Sequence, residues 1–326
     1  MTMRVSTQQM YGTGVGGIQR LQSSLYTLQN QVNTGRKIVS PKDDPVGSAQ
    51  ALLVSQSKSV NTLFVTNQKA ATTKLSTLDS TLAGVSSELQ NIYEKAIAAG
   101  NGSYSDGDRA AVAKELAERL GSLIGLANTQ DGTGRYVFAG VQSTTRPFSL
   151  SGNSPSATNP THYSLDPPNA YVDYNGDDGL QKLQVGADDF VETNIPGSDI
   201  FMRVKDSSGT PTFRSVFDAV QNMVDFLNTN GASASDPAYT NALGDISAAM
   251  DNVTNARATV GARLSSLESM MNTAADRTLQ YDEQLSNLQD LDYASALTAV
   301  SQQKLQLEAA QATFAATAKL SLFNYI

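Results

Sequence analysis

Ile18, Leu21, Leu25, Leu28 and Val32 recur at alternating spacings of three and four, and no other stretch so narrows what this chain can fold into. Such a heptad seam is one side of a helix pair and obliges the segment to find an apolar partner. The run then stops abruptly. Thr34-Gly35 supplies a C-terminal cap, and Pro41 and Pro45 bracket the charged cluster Lys42, Asp43, Asp44. A helix this short is marginal in water by itself, since isolated helices need roughly 12–15 residues even with good propensity.

Pro45 suits the first position of a second, much longer helix. Its seam runs through Phe64, Ala71, Leu75, Leu78, Leu82, Val85, Leu89 and Ile92, and it ends at Gly100-Asn101-Gly102. About 54 residues at ~1.5 Å each make a rod of roughly 80 Å. Ser105 to Asp108 resembles a capping box and opens a helix with Val112, Leu116, Leu120, Leu123 and Ile124 on one face, predicting a hairpin against the rod. Arg135 to Gly140 reads as a strand. Residues 141–212 hold seven of the ten prolines and nine acidic against four basic side chains. With strand-like runs at Tyr171–Tyr174 and Ile200–Val204, they read as a small β-rich insert. Phe213 to Asn228 returns to helix, and Asp236-Pro237 starts a second long one. Its seam runs from Met250 to Leu288, breaks at Asp290-Leu291-Asp292-Tyr293, and gives way to a last helix with Leu297, Val300, Leu307 and Phe314.

The two halves mirror each other: short helix, break and long rod from either end. A chain that goes out along one rod and returns along another sets its ends side by side, so the simplest partner for Ile18–Val32 is Ala294–Leu320. Three parts are expected: residues 1–44 with 290–326 as a terminal coiled-coil segment, 45–140 with 213–289 as the rod, and 141–212 as the insert. Gly12-Thr13-Gly14-Val15-Gly16-Gly17 matches GxGxxG by letter but lacks the βαβ context a dinucleotide site needs, so it reads as a lead-in whose glycines lower order before the helix starts.

The terminal helices carry few charges: Arg4 and Arg20 up to Thr34, then Lys304, Glu308 and Lys319 from Tyr293 onward. A two-helix coiled coil in water shows charge on its outer positions. Here those positions are Gln, Asn, Ser, Thr and Ala, which can be buried against further helices at modest cost. A lone hairpin also buries too little to offset an ordering cost of ~1–2 kcal/mol per residue. Both ends are therefore expected to be loosely ordered in a single copy and to fold when copies pack. A net charge of −8 argues against nucleic acid, and no run of 18 apolar residues would span a membrane. The first residues, MTMRVSTQQMY, have no apolar core of a cleavable secretory signal. Without cysteine there is no disulfide or thiolate metal site, and one histidine, His162, leaves no basis for a His-dependent triad.

The order of several motifs resembles the flagellin superfamily, and within it the flagellar hook-associated protein 3 family. The superfamily match lies in Thr34-Gly35-Arg36-Lys37-Ile38, Lys42-Asp43-Asp44-Pro45, Ala99-Gly100-Asn101-Gly102 with Ser105–Arg109, and Leu291-Asp292-Tyr293-Ala294. The opening Met3–Thr7, the stretch Tyr136–Gly140 leading to Arg146-Pro147-Phe148, the insert run Tyr174–Gly179 and the ending Leu320–Ile326 resemble the junction family. The resemblance implies a mainly α fold with a small β insert: an elongated, flagellin-like rod of antiparallel N- and C-terminal halves with a terminal coiled-coil segment. It implies a structural role, no enzyme activity and no cofactor. It also implies a bacterial flagellar location reached by type III export without signal cleavage. The implied partners are further copies in a ring, hook-associated protein 1, flagellin, and a cytoplasmic export chaperone that binds the C-terminal segment. Assembly contacts are then expected from Ile18, Leu21, Leu25, Leu28, Val32, Leu297, Val300, Leu307, Phe314 and Phe323, with Gly35, Pro41, Asp43, Asp44 and Pro45 forming a joint. A filament-forming flagellin, or a secreted adhesin using the insert, are the alternative readings.

Three chemical readings fall away. Asp173, Asn175 and Asp177 have calcium-loop spacing, but Asp178 and Gln184 stand where Gly and Glu are needed. Asp188 and Asp189 point to opposite faces if extended. His162-Tyr163-Ser164-Leu165-Asp166 does not supply the HExxH of a metallopeptidase insert.

Overall fold

A computed structural model of the 326-residue chain describes residues 7–151, 162–166, 170–204, 215–229, 231 and 233–323. Six α-helices dominate: α1 (Thr7–Thr34), α2 (Pro45–Ala99), α3 (Asp106–Ala127), α4 (Val216–Leu227), α5 (Pro237–Gln289) and α6 (Tyr293–Phe323). Five short strands lie between α3 and α4: β1 (Phe148–Ser151), β2 (His162–Asp166), β3 (Ala170–Tyr174), β4 (Lys182–Gln184) and β5 (Phe190–Glu192). The chain divides into a terminal unit, up to Thr62 and from Ala275, and a central unit, Leu63–Ala274. The expected insert, 141–212, falls inside the central unit.

Local signals set most helix ends. Pro45 opens α2, and α2 stops at Ala99, where Gly100 lies against Tyr239, whose hydroxyl donates to the Ala96 carbonyl at 3.1 Å. Ser105 and Asp108 form the capping box of α3: the Asp108 amide donates to Ser105 Oγ at 3.2 Å and the Ser105 amide to Asp108 Oδ2 at 3.0 Å. Ser105 also holds the Asp108 carboxyl below its ordinary value of 3.8. Asp236 accepts from the Ala238 amide at 2.8 Å, with Pro237 at the first helical position of α5. Phe213, read as helical, lies outside the described residues.

The central unit is built on these helices. α3 runs antiparallel to α2, with Arg119 on Glu88 at 3.2 Å and Lys95 on Glu115 at 3.0 Å. Leu75, Leu78, Leu82, Val85, Leu89 and Ile92 are wholly buried, and Leu116 and Leu123 of α3 join Val253, Val260 and Leu267 of α5 in the same core. That core continues into four phenylalanines. Phe148 meets Phe201 at 5.2 Å and Phe217 at 5.3 Å, Phe138 meets Phe201 at 5.1 Å, and Phe201 stacks on Phe217 at 5.5 Å. β1, β3 and β2 form an antiparallel sheet in that order, and β4 pairs with β5. Tyr171–Tyr174 is strand, as its pattern predicts.

Three expectations are corrected. Arg135–Gly140 is not a strand: one bridge, Gln130 to Tyr136, is followed by turns. Gly134 and Gly140 bracket it at φ +78° and +71°, and Phe138 turns inward while its carbonyl accepts from the Gly197 amide at 2.9 Å and the Tyr174 hydroxyl at 3.0 Å. Ile200–Met202 belong to a π-helical turn, Ser198–Met202, not a strand. Ile200, Phe201 and Met202 are all buried, whereas a strand alternates faces. The Asn252 amide donates to the Asp199 and Ile200 carbonyls at 2.9 and 2.8 Å, pairing acceptors that the wide turn exposes. Finally, Gly12–Gly17 is no lead-in; it lies inside α1.

The acidic loop also has a structural use. Asp177 accepts from the amides of Val141 at 2.7 Å, Gln142 at 3.1 Å and Gly179 at 2.8 Å. Gly140 is required there, because a Cβ would sit 2.1 Å from Asp177 Oδ1.

Candidate assembly interface

Within the terminal unit, the break after α1 and the break before α6 meet. Gly35 leaves α1 at φ +69°, the left-handed region that favours glycine, and an added Cβ would sit 2.8 Å from the Tyr293 hydroxyl. The next residues pair with the chain between α5 and α6. The Leu291 amide donates to the Gly35 carbonyl at 3.1 Å, the Lys37 amide donates to the Gln289 carbonyl at 2.7 Å, and Arg36 forms a β-bridge with Asp290. Gln31 Nε2 donates back to the Lys37 carbonyl at 2.7 Å.

The carboxylates shape the turn. Asp43 accepts from the amides of Ser40 at 2.8 Å and Val39 at 3.2 Å, tightening the exposed turn that contains Pro41. Asp44 is the N-cap of α2: it accepts from the Gly47 amide at 2.9 Å, with Pro45 at the first helical position. Asp292 caps α6, accepting from the Ala294 amide at 3.0 Å and the Ser295 hydroxyl at 2.7 Å, and the Ser295 hydrogen bond holds its carboxyl below 3.8. Of the residues expected at a joint, Gly35 meets the chain before α6, while Pro41, Asp43, Asp44 and Pro45 shape the turn into α2. Residues 289–291, the joint's other strand, carry no pattern that three residues could show.

From the joint, α1 and α6 run antiparallel, and the far end is marked by Phe314, whose ring meets Tyr11 edge-on at 5.6 Å and lies against Gly14. The Gly35–Tyr293 and Gly14–Phe314 contacts share one offset. Counting from either sets Ile18 level with Ala310, Leu21 with Leu307, Leu25 with Gln303, Leu28 with Val300 and Val32 with Ala296. All of these are half-buried except Ala296, which is buried. Leu297 stands outside this seam at 53% exposure, and Phe323 closes α6 with its side chain outside the described residues. Sequence reading missed Ala296, Gln303 and Ala310 because small or polar seam residues leave no hydropathy signal.

The outward faces are the more telling part. Tyr26 is 70% exposed, Leu305 68% and Leu53 64%, and Val15, Val46, Leu52, Val60, Leu279 and Tyr293 join them. Among the described residues, Ala51 and Ala296 are the only buried hydrophobic side chains of the terminal unit. Such a surface offers apolar and small neutral groups to other helices.

The model of the bacterial flagellin N-terminal helical region matches residues 5–143, and that of the C-terminal helical region matches residues 243–326. Flagellar hook-associated protein 3 of Escherichia coli (strain K12) is 31% identical over 333 residues, covering 99% of this chain and 99% of its own length. The protein of that name from Salmonella typhimurium (strain LT2) is 30% identical over 335 residues, with 99% of each chain covered. Among solved structures, the flagellar junction protein FlgL from Legionella pneumophila matches with a TM-score of 0.58 at 22% identity, covering 74% of this chain and 100% of its own, a likeness of fold.

Proposed function

The chain belongs to the flagellar hook-associated protein 3 family of flagellin-like proteins, and on that premise we propose that it is the structural adaptor joining the flagellar hook to the flagellin filament. The observation that carries the mechanism is the terminal unit, which among the described residues buries almost no apolar side chain within one copy while leaving Tyr26, Leu53, Leu297 and Leu305 exposed. Copies assemble as a ring through α1 and α6, on hook-associated protein 1, and present a surface on which flagellin polymerises. The assembly segment is residues 1–44 with 290–326, the long helices of 45–140 and 213–289 carry it, and 141–212 is an inserted elaboration. The joint at Gly35–Pro45 is where the subunit accommodates two differently curved neighbours. Export proceeds through the flagellar type III apparatus without signal cleavage, with a cytoplasmic chaperone covering the apolar C-terminal helix.

Deleting the gene tests the role. A null strain should still build hooks yet release flagellin monomer into the medium, and restoring the chain should restore filaments. Filaments of normal length in the null strain would overturn the proposal. Because flagellin models match both ends, seeding provides the second discrimination: a filament flagellin elongates filament fragments indefinitely, and this chain should not.

A further inference from the structure

α1 contains Gly12, Gly14, Gly16 and Gly17 within its first three turns, and each weakens a helix relative to alanine. Packing explains only one of them. A Cβ on Gly12, Gly16 or Gly17 would meet nothing within 4 Å, whereas one on Gly14 would sit 2.6 Å from Phe314 Cδ2 and 2.9 Å from Cε2. Tyr11, one turn earlier on the same face, meets that ring at 86° with centroids 5.6 Å apart. The Phe314 ring is therefore seated on bare backbone and gripped from the side.

The joint lies too far away to fasten this end. Phe314 lies 21 residues beyond Tyr293, about 32 Å along the helix, so the hydrogen bonds of the joint cannot hold it. Among the described residues no ion pair joins α1 to α6, and the seam between is only half-buried.

We propose that Phe314 and Gly14, with Tyr11, form a clasp that holds the first three turns of α1 helical, so that the order of this glycine-rich segment depends on Phe314 occupying its seat. Phe314 is thus a positioning residue: it fixes where Tyr11 and Val15 are presented. A two-ended pair results, with a backbone bridge at the joint and an aromatic clasp at the far end.

Amide hydrogen exchange on the full-length chain, both free and incorporated onto hooks, tests this. Phe314→Ala should speed exchange in residues 7–17 by about tenfold in whichever form the wild type protects them, while the joint and residues 75–92 stay unchanged. Gly12→Ala and Gly16→Ala should slow it. Gly14→Ala adds the same methyl group yet should speed it, and in a Phe314→Ala background the sign should invert, since the obstruction is gone. The proposal is overturned if Gly14→Ala protects the wild-type chain as Gly12→Ala does, if Phe314→Ala leaves residues 7–17 unchanged, or if they are unprotected in both wild-type forms. Exchange reads the clasp whether or not the chain acts at a junction, so failure here and failure of the null-strain experiment are separable.

Discussion

Leu82 and Leu28 occupy equivalent places in the sequence, each on a heptad seam in mid-helix. In the structure Leu82 is fully buried, among Leu78, Val85 and the residues of α3 and α5, whereas Leu28 remains half-buried, level with Val300. The same pattern thus has two outcomes, set by the number of layers that cover the seam. In the central unit a second and third helix and a phenylalanine cluster complete the enclosure. In the terminal unit one antiparallel partner is present and the outer positions, neutral and in places apolar, are left open. Periodicity specifies that a face must be covered; it does not specify whether the cover is in the same molecule.

The largest expected effect follows directly. Leu25→Asp or Phe314→Asp places a carboxylate on the terminal seam, where every covering helix in an assembled ring would have to desolvate it. Assembly should be abolished while the central unit keeps its fold. Incorporation onto hooks at the wild-type level, with circular dichroism unchanged, would break the comparison by showing that this seam needs no further cover.

Phe201→Ala tests the other side. Phe201 touches Phe138, Phe148 and Phe217 and is wholly buried, so its truncation should cost about 3–5 kcal/mol, read as a fall in the urea midpoint of the full chain. A loss under about 1 kcal/mol would mean that the central core relaxes as readily as the terminal pair.

These contrasts also show what the sequence carried. Helix ends set by a single side chain were legible: Pro45, the Ser105–Asp108 box and Asp236-Pro237 all lie where the letters place them. The antiparallel pairing of α1 with α6 was legible from symmetry alone. Segments shaped by distant partners were not. Ile200–Met202 read as strand because β-propensity says nothing of an Asn252 amide waiting on another helix. Arg135–Gly140 read as strand because Phe138 is drawn inward by aromatic neighbours far along the chain. Gly12–Gly17 read as disordered lead-in because glycine propensity is local, and the ring that makes Gly14 useful is 300 residues away.

Acid should sharpen the difference at smaller magnitude. Asp178 is held below its ordinary value of 3.8, first by the Ser198 hydroxyl and then by the Arg203 guanidinium, against the opposing effect of burial. Asp106, Asp108, Glu115 and Asp131 are also held low, and all belong to the central unit; among the described residues the terminal unit contributes Asp292. A depressed carboxylate stabilises the fold fully above its unfolded value, and that stabilisation is lost as pH falls through the lower folded value. Acidification past 3.8 should therefore erode the near-ultraviolet dichroism of the central aromatic cluster, and the signal should be flat from neutral pH down to about 5. Loss already at pH 6 would place the cause elsewhere, because no group cited titrates there.

The smallest effect separates the units most finely. Lys58 pairs with Asp282 between α2 and α5 in the terminal unit, and Lys95 pairs with Glu115 between α2 and α3 in the central one. All four side chains are at least a third exposed, so each pair contributes up to about 1 kcal/mol, less in high salt. Lys95→Ala leaves Leu89, Ile92 and Leu116 buried beside it, and local opening there should barely change. Lys58→Ala removes a tie where Ala51 is the nearby buried hydrophobic, with the Asn61–Thr278 hydrogen bond one turn on. The same kilocalorie then represents a larger share of what holds the helices together, and amide exchange across residues 45–62 should rise about fivefold. If Lys95→Ala opens its helices as much as Lys58→Ala does, the buried core is not what distinguishes the two units, and the exposed apolar faces of the terminal unit lose their claim to be an interface awaiting cover.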